Sequence, residues 1–260
     1  MTADTLSLQG KIAIVTGSGR ENGIGAGIAL ALARNGASVV VNYVSESSKD
    51  RAANVCETLR KAGGQAIAVQ AAVDTIEGAR ELVNKTLEGF KTDRIDILVN
   101  NAGVGYFSAI TDEPDVELLA KVFQVNVLGP FYMVNSAVPH MPRGGRIINI
   151  SSTTSKRGNA NISTYAASKA ALDNLTWSWA EELGRSKGLT VNSVAPGPVL
   201  TDIYPKGHEE ALMATEIALT RAEHRAGTTE DIGDAVLLLV NEKSRWITGQ
   251  YIGVNGGVTR

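Results

Sequence analysis

Residues 11–25 read KIAIVTGSGRENGIG. Lys11–Thr16 is a short run rich in β-branched residues. It passes through a glycine-rich turn into Ile24–Asn35, where Ile24, Ile28 and Leu32 recur at helical spacing and Gly36 supplies a stop. Glycines let a backbone approach a pyrophosphate, and the free N–H groups and dipole of a helix N-terminus favour its charge. Glycine turns also serve plain loops. Placed after a first strand and before a helix, this one reads as a dinucleotide loop, carried by Gly17, Gly19, Arg20, Gly23 and Ile24.

The same alternation repeats outward from this unit. Ser38–Val44, Gln65–Ala71, Ile95–Val99, Gly145–Ile150, Leu189–Val194 and Gln250–Val254 have the length and composition of strands covered on both faces. Between them lie helical patterns. Glu46–Ala62 ends in Gly63-Gly64, and Thr75–Gly89 follows Asp74 as its cap. Asp112–Val138 carries Pro114 in its first turn and stops at Pro139, and Ser163–Lys187 and Thr229–Val240 complete the set. This order predicts an α/β fold: a single doubly wound domain over 1–260, with a seven-stranded parallel sheet and helices on both faces. Ligands of such sheets bind beyond the carboxyl ends of the strands, at the topological switch point. The chemistry is therefore expected just after strands one, four, five and six.

The 260 residues carry 25 basic and 27 acidic side chains, a formal net charge of −2. That balance argues against a nucleic-acid partner. The longest aliphatic run, Ala235–Val240, is far too short for a membrane span, and the first ten residues lack the pattern of a secretory signal. The lone Cys56 can form no internal disulfide, which points to a reducing, cytoplasmic setting without a metal cluster.

The second strand ends Asn42-Tyr43-Val44-Ser45, with no acid before Glu46. An acid there would select NAD through the ribose 2′-hydroxyl. Neutral Asn42 and Ser45, with Arg20 in the loop, suit a 2′-phosphate and so NADP(H); the alternative for Arg20 is a solvated loop charge. Asn100-Asn101-Ala102-Gly103 follows the fourth strand, where small residues let the loop lie against a ribose and the amides can tie strands together.

The fifth strand runs into Ser151-Ser152, and the next helix opens with Tyr165-Ala166-Ala167-Ser168-Lys169. Positions four apart share a helix face, so the phenol and ammonium lie side by side. A nearby cation brings a phenol with a pKa of about 10 toward the working range. Ser152, at a strand end, can hold a carbonyl oxygen beside the phenol, and the set reads as a proton relay for carbonyl/alcohol interconversion. A Tyr–Lys pair alone is commonly a solvated face. Asn126 adds an amide inside an apolar helix, able to kink that helix, to bind a relay water, or to be a satisfied core residue.

Together these pieces resemble the short-chain dehydrogenase/reductase family, a Rossmann fold, over essentially the whole chain. They are Thr16-Gly17 through Gly23-Ile24-Gly25, Asn100–Gly103, Asn126, Ser152, Tyr165 with Lys169, Pro196-Gly197 and Asn255-Gly256-Gly257. The sequence is most similar to fungal-type NADPH ketone reductases acting on polyketide-derived aromatic rings. The resemblance implies that Tyr165 is the general acid and that Lys169 lowers its pKa and binds the nicotinamide ribose. It implies that Ser152 holds the substrate oxygen and Asn126 the relay water. Pro196-Gly197 would face the carboxamide, with Val199 and Thr201 nearby, and Asn42, Tyr43, Ser45, Val73, Asn101, Ala102 and Gly103 would line the cofactor. Two departures stand out: a glycine loop two residues longer than usual, and Ala72-Val73 where an adenine-contacting Asp is common, with Asp74 further on.

Residues 199–221, with Pro205 and Gly207 as hinges, read as a substrate lid. Ile203, Tyr204, Leu212 and Met213 would form one apolar wall and Val104, Tyr106 and Phe107 another, suiting a small cyclic or aromatic ketone. Trp177 and Trp179 lie two apart on one helix, so one packs inward and the other marks a subunit contact, joined by Met133 and Val134. The family forms tetramers through these helices, which implies a homotetramer or a homodimer. The competing readings are an enzyme of this fold without net redox chemistry (isomerase, dehydratase or cyclase), an alcohol dehydrogenase working oxidatively, and a cofactor-binding regulator.

Overall fold

A computed structural model describes residues 5–202, 207 and 209–259. Seven strands form one parallel sheet: β1 (Ile12–Val15), β2 (Ser38–Tyr43), β3 (Gln65–Gln70), β4 (Ile97–Asn100), β5 (Arg146–Ile150), β6 (Thr190–Pro196) and β7 (Tyr251–Val254). Their order is β3-β2-β1-β4-β5-β6-β7. β1 pairs with β2 on one side and β4 on the other, so the switch point lies between the loops that leave β1 and β4. The helices are α1 (Ile24–Arg34), α2 (Lys49–Lys61), α3 (Ile76–Phe90), α4 (Val116–Phe123), α5 (Gly129–Ala137), α6 (Ser163–Lys187), α7 (Glu209–Ile217) and α8 (Thr229–Val240).

Strand periodicity divides the core in two. Ala13, Val15, Val39 and Val41 face Ile28, Leu32, Leu59 and Val236 on one side of the sheet. Ile14, Val40 and Leu98 face Leu82, Met133 and Trp179 on the other. The five inner strands are buried on both faces, but β3 alternates exposed and buried residues and β7 is only half-buried. Both are edge strands with a neighbour on one side alone, so the expectation of two covered faces fails there.

Several helix ends also differ from the sequence reading. Thr75, not Asp74, caps α3, its hydroxyl accepting from the Gly78 N–H at 3.1 Å. Asp115 caps α4, leaving Pro114 outside the helix. The single helix expected over 112–138 is two helices joined by a π-helical turn at Gln124–Leu128.

Helices α1 and α8 cross closely, through glycines on both. A Cβ on Gly27 would lie 2.4 Å from the Thr229 carbonyl oxygen, and one on Gly233 2.6 Å from the Gly27 oxygen. Gly27→Val forces this crossing apart and is expected to cost about 2–3 kcal/mol, lowering the melting temperature by about 5 °C or more. Thermal unfolding of the variant checks this; an unchanged melting temperature would show that the crossing relaxes freely.

Candidate active site

The loops after β1 and β4 meet at backbone distance. The Thr16 hydroxyl accepts from the N–H groups of Asn101 (2.9 Å) and Ala102 (3.0 Å). The Asn101 amide donates back to the carbonyls of Thr16 (2.8 Å) and Gly17 (3.2 Å). Gly17 has φ +63°, and a Cβ there would lie 2.9 Å from the Ala102 Cα. On Gly25 a Cβ would fall 2.5 Å from the Asn101 amide nitrogen. Helix α1 starts on this cradle behind Gly23, which has no side chain to cap it. The start of the helix is therefore left without a side-chain cap, an arrangement that suits a pyrophosphate.

Toward the expected adenosine end, Asn42 has a different task from the one read in the sequence. It is fully buried. Its Oδ1 accepts from the Gly17 N–H at 3.0 Å, and its Nδ2 donates to the Ala71 carbonyl at 3.0 Å. Its amide braces the glycine loop and is not offered to a phosphate. Tyr43 packs into the core, where a Cβ on Gly19 would sit 2.9 Å from its own Cβ. Ser45 and Arg20 are exposed. Val73 is buried, and Asp74 pairs with Lys121 of α4. In the lengthened loop, Arg20, Glu21 and Asn22 are exposed. Glu21 accepts from Arg51 Nε of α2 at 2.7 Å, and Arg51 also reaches Asp202 beyond β6. The Arg51 guanidinium holds the Glu21 carboxyl below the usual carboxylate range.

Where β5 ends and α6 begins, Lys169 lies beside Tyr165 and against the last residue of the strand. Lys169 is buried and donates to the Ile150 carbonyl at 2.8 Å. Its Nζ lies 5.7 Å from the centre of the Tyr165 ring, the pairing that the spacing of four predicted. Burial pushes the Lys169 ammonium down to about 8, with the Asp173 carboxylate opposing the shift. Ser152 directly follows Ser151 at the end of β5 and is half-buried. Gly103 borders the same space: a Cβ there would lie 3.4 Å from both Lys169 Nζ and Asn126 Oδ1.

Asn126 sits within the π-helical turn and is fully buried. Its Oδ1 accepts from the Val104 N–H (2.9 Å), and its Nδ2 donates to the Val104 carbonyl (2.9 Å) and the Ser168 hydroxyl (3.0 Å). Of the alternatives read in the sequence, the kinked helix and the satisfied amide both hold. Pro130 has no N–H, so the regular i+4 bond to the Asn126 carbonyl is missing.

Beyond β6, Gly197 donates to the Val254 carbonyl at 3.2 Å, Pro196 ends the strand, and Val199 is buried in the core while Thr201 is half-buried. Of the expected lid, Ile203, Tyr204, Pro205 and the Leu212 side chain lie outside the described residues. Met213 does not serve as a pocket wall: it packs with Ile217 and Ala226 in a small cluster of its own. Phe107 is exposed, and the Tyr106 hydroxyl accepts from the Asp115 N–H. Trp179 is buried and Trp177 is 70% exposed, as their spacing implied. Met133 and Val134 are buried in the core and cannot join a contact surface; Phe123, Leu128 and Phe131 are exposed instead.

Two contributors escaped the sequence reading: Ser168 receives Asn126 and donates to the Tyr165 carbonyl (2.7 Å), and Thr154 bonds Ser152. Thr16, read only as part of the loop motif, ties the two loops at the switch point. Ser168, three residues past Tyr165, was the most accessible, since that spacing shares a helix face. Among the described residues no group of acidic, His or Cys side chains could hold a metal ion, and no helix is long and apolar enough to cross a membrane.

Comparisons with known proteins find relatives over nearly the whole chain. Residues 17–259 match the family model described as enoyl-(acyl carrier protein) reductase. The short-chain dehydrogenase/reductase FrzI of a Cladobotryum species is 41% identical, with 97% of each chain covered. A hydroxynaphthalene reductase of Aspergillus fumigatus is 37% identical over 96% of this chain and 93% of its own. Among solved structures, the angucycline C-6 ketoreductase LanV with bound NADP superimposes with a TM-score of 0.87 at 35% identity, covering 97% of this chain and 96% of that one. At these identities, and over this much of its length, the chain belongs to the short-chain dehydrogenase/reductase family of oxidoreductases.

Proposed function

We propose that the protein is an NADPH-dependent reductase that converts the carbonyl of a small cyclic or aromatic ketone to an alcohol. The observation that carries this reading is the buried Lys169 ammonium beside the Tyr165 ring at the mouth of a glycine-lined crevice. When bound, the dinucleotide supplies a hydride to the carbonyl carbon. The chain's own residues supply the rest. Gly17, Gly25 and the uncapped start of α1 fit a pyrophosphate. Ser152 holds the carbonyl oxygen, and Tyr165 gives that oxygen its proton. Lys169 favours the resulting phenolate and offers its remaining N–H groups to a ribose. The Asn126 carbonyl, left without its usual donor by Pro130, is suited to hold a water leading to Lys169.

Support for NADP(H) over NAD(H) comes from the acid-free end of β2, from exposed Arg20 and Ser45, and from the NADP bound by LanV. Support for a ring-shaped substrate comes from relatives such as the hydroxynaphthalene reductase and the angucycline ketoreductase, and from apolar Val104, which follows Gly103 in the chain. Exposed Phe123, Leu128, Phe131 and Trp177 support assembly as a homotetramer.

Three measurements test this reading. With a panel of ketones, NADPH is expected to be consumed with a higher kcat/KM than NADH. Folded Tyr165→Phe should lose about 10²–10⁴ of that rate; equal turnover by variant and wild type would dismiss Tyr165 as the acid. The second is pH. Lys169 is an ammonium below about 8 and loses its proton as pH rises through that value. The kcat/KM for reduction is thus expected to hold below about 8 and fall above it, and a profile level to pH 10 would contradict the role. Third, light scattering at micromolar concentration should give the mass of a tetramer; a monomer would refute the assembly.

A further inference from the structure

The residues that follow Ser152 decide which way its hydroxyl points. A serine hydroxyl has one proton to give and two lone pairs with which to accept. Here both lone pairs are engaged by one residue: the Thr154 N–H donates to Ser152 Oγ at 3.2 Å, and the Thr154 hydroxyl donates to the same atom at 2.9 Å. Among the described residues Ser152 Oγ accepts twice and donates to no partner. Its proton is therefore left to give to an incoming acceptor.

The turn that carries Thr154 is firmly held. Thr153–Lys156 is one 3₁₀ turn with Thr153 buried beneath it. The next residue, Ser155, donates to Asp173 Oδ2 of α6 at 2.6 Å, and Lys156 Nζ lies 3.9 Å from the same oxygen, over the Tyr251 ring. Asp173 is one helical turn beyond Lys169, so the helix that bears Tyr165 and Lys169 also fixes the turn that orients Ser152.

We propose that Thr154 is a positioning residue of this enzyme: by filling both lone pairs of Ser152 Oγ it makes that hydroxyl an obligate donor to the substrate carbonyl. An unfilled lone pair would let the Ser152 hydroxyl rotate and accept, and an accepting hydroxyl repels a carbonyl oxygen. The proposal rests on the reductase reading above and adds to it a residue outside the Ser–Tyr–Lys set.

A double-mutant cycle tests it, with NADPH and any ketone the wild type reduces. Ser152→Ala is expected to lower kcat/KM by about 10²-fold, and Thr154→Val by about tenfold. The double variant should match Ser152→Ala within about twofold, because Thr154 acts only through Ser152. The dissociation constant for NADPH should be the same in all four proteins, and Thr154→Ser, which keeps the hydroxyl, should retain most of the rate. Thr154→Val without effect, a further tenfold loss in the Ser152→Ala background, or an equal loss in Thr154→Ser would each overturn the proposal. Wild-type turnover by Ser152→Ala would instead overturn the parent reading, and this one with it.

Discussion

The buried ammonium of Lys169 constrains the elements around it. Removing an ammonium from water costs several kcal/mol unless partners replace the solvent. Lys169 is buried and keeps the Ile150 carbonyl as a direct acceptor, with the Asp173 carboxylate one turn along the same helix. That acceptor is the last residue of β5, so the solvation of the lysine is supplied by the strand whose end also presents Ser151 and Ser152. The helix cannot slide or rotate against the sheet without stranding the charge. That constraint holds Tyr165, one turn before Lys169, near the end of the strand that Ser151 and Ser152 follow.

Around this charge, the ends of the central strands are joined by polar groups inside an otherwise apolar core. Asn100 of β4 donates to Asn149 of β5, Asn149 donates to Thr176 of α6, and Thr176 meets Ser193 of β6, each at 2.8–2.9 Å. An unpaired buried donor would cost roughly 1–3 kcal/mol; these bonds pair the Asn100 and Asn149 amide donors and tie together the strands from which the site is built. The Asn126–Val104 exchange does the same for the loop after β4, and Thr16 with Asn101 for the two loops at the switch point. The site is thus rigid where it must position a proton. In the loop after β4, apolar Phe107 stands exposed.

Much of the fold was legible because parallel strands buried on both faces leave a local mark. Val39-Val40-Val41 or Ile147-Ile148 can hardly be anything else, and the glycines after β1 and the stop at Gly36 mark the first turn and helix. The edge strands were misread for the same reason: nothing in Gln65–Gln70 says that one face lacks a cover. The pairing of Tyr165 with Lys169 was legible since one helical turn is a local distance. Asn42 was not, because a polar residue at a strand end reads equally well as a ligand donor or as a brace, and only the presence of Gly17 and Ala71 around it separates the two. Met133 and Val134 were assigned to a surface since helix periodicity does not say which side meets the sheet.

The sequence by itself determined the alternation of strand and helix, the glycine loop, and the phenol–ammonium pair, all of them matters of composition and spacing within one or two turns. Only the tertiary structure decided that Glu21 of the lengthened glycine loop pairs with Arg51, that Asn126 is locked to Val104 and Ser168, and that Ser152 is held by Thr154 from a turn tied to α6. The reason is physical: a hydrogen bond's direction and partner depend on angles and on atoms distant along the chain, and those are fixed when the sheet and helices pack.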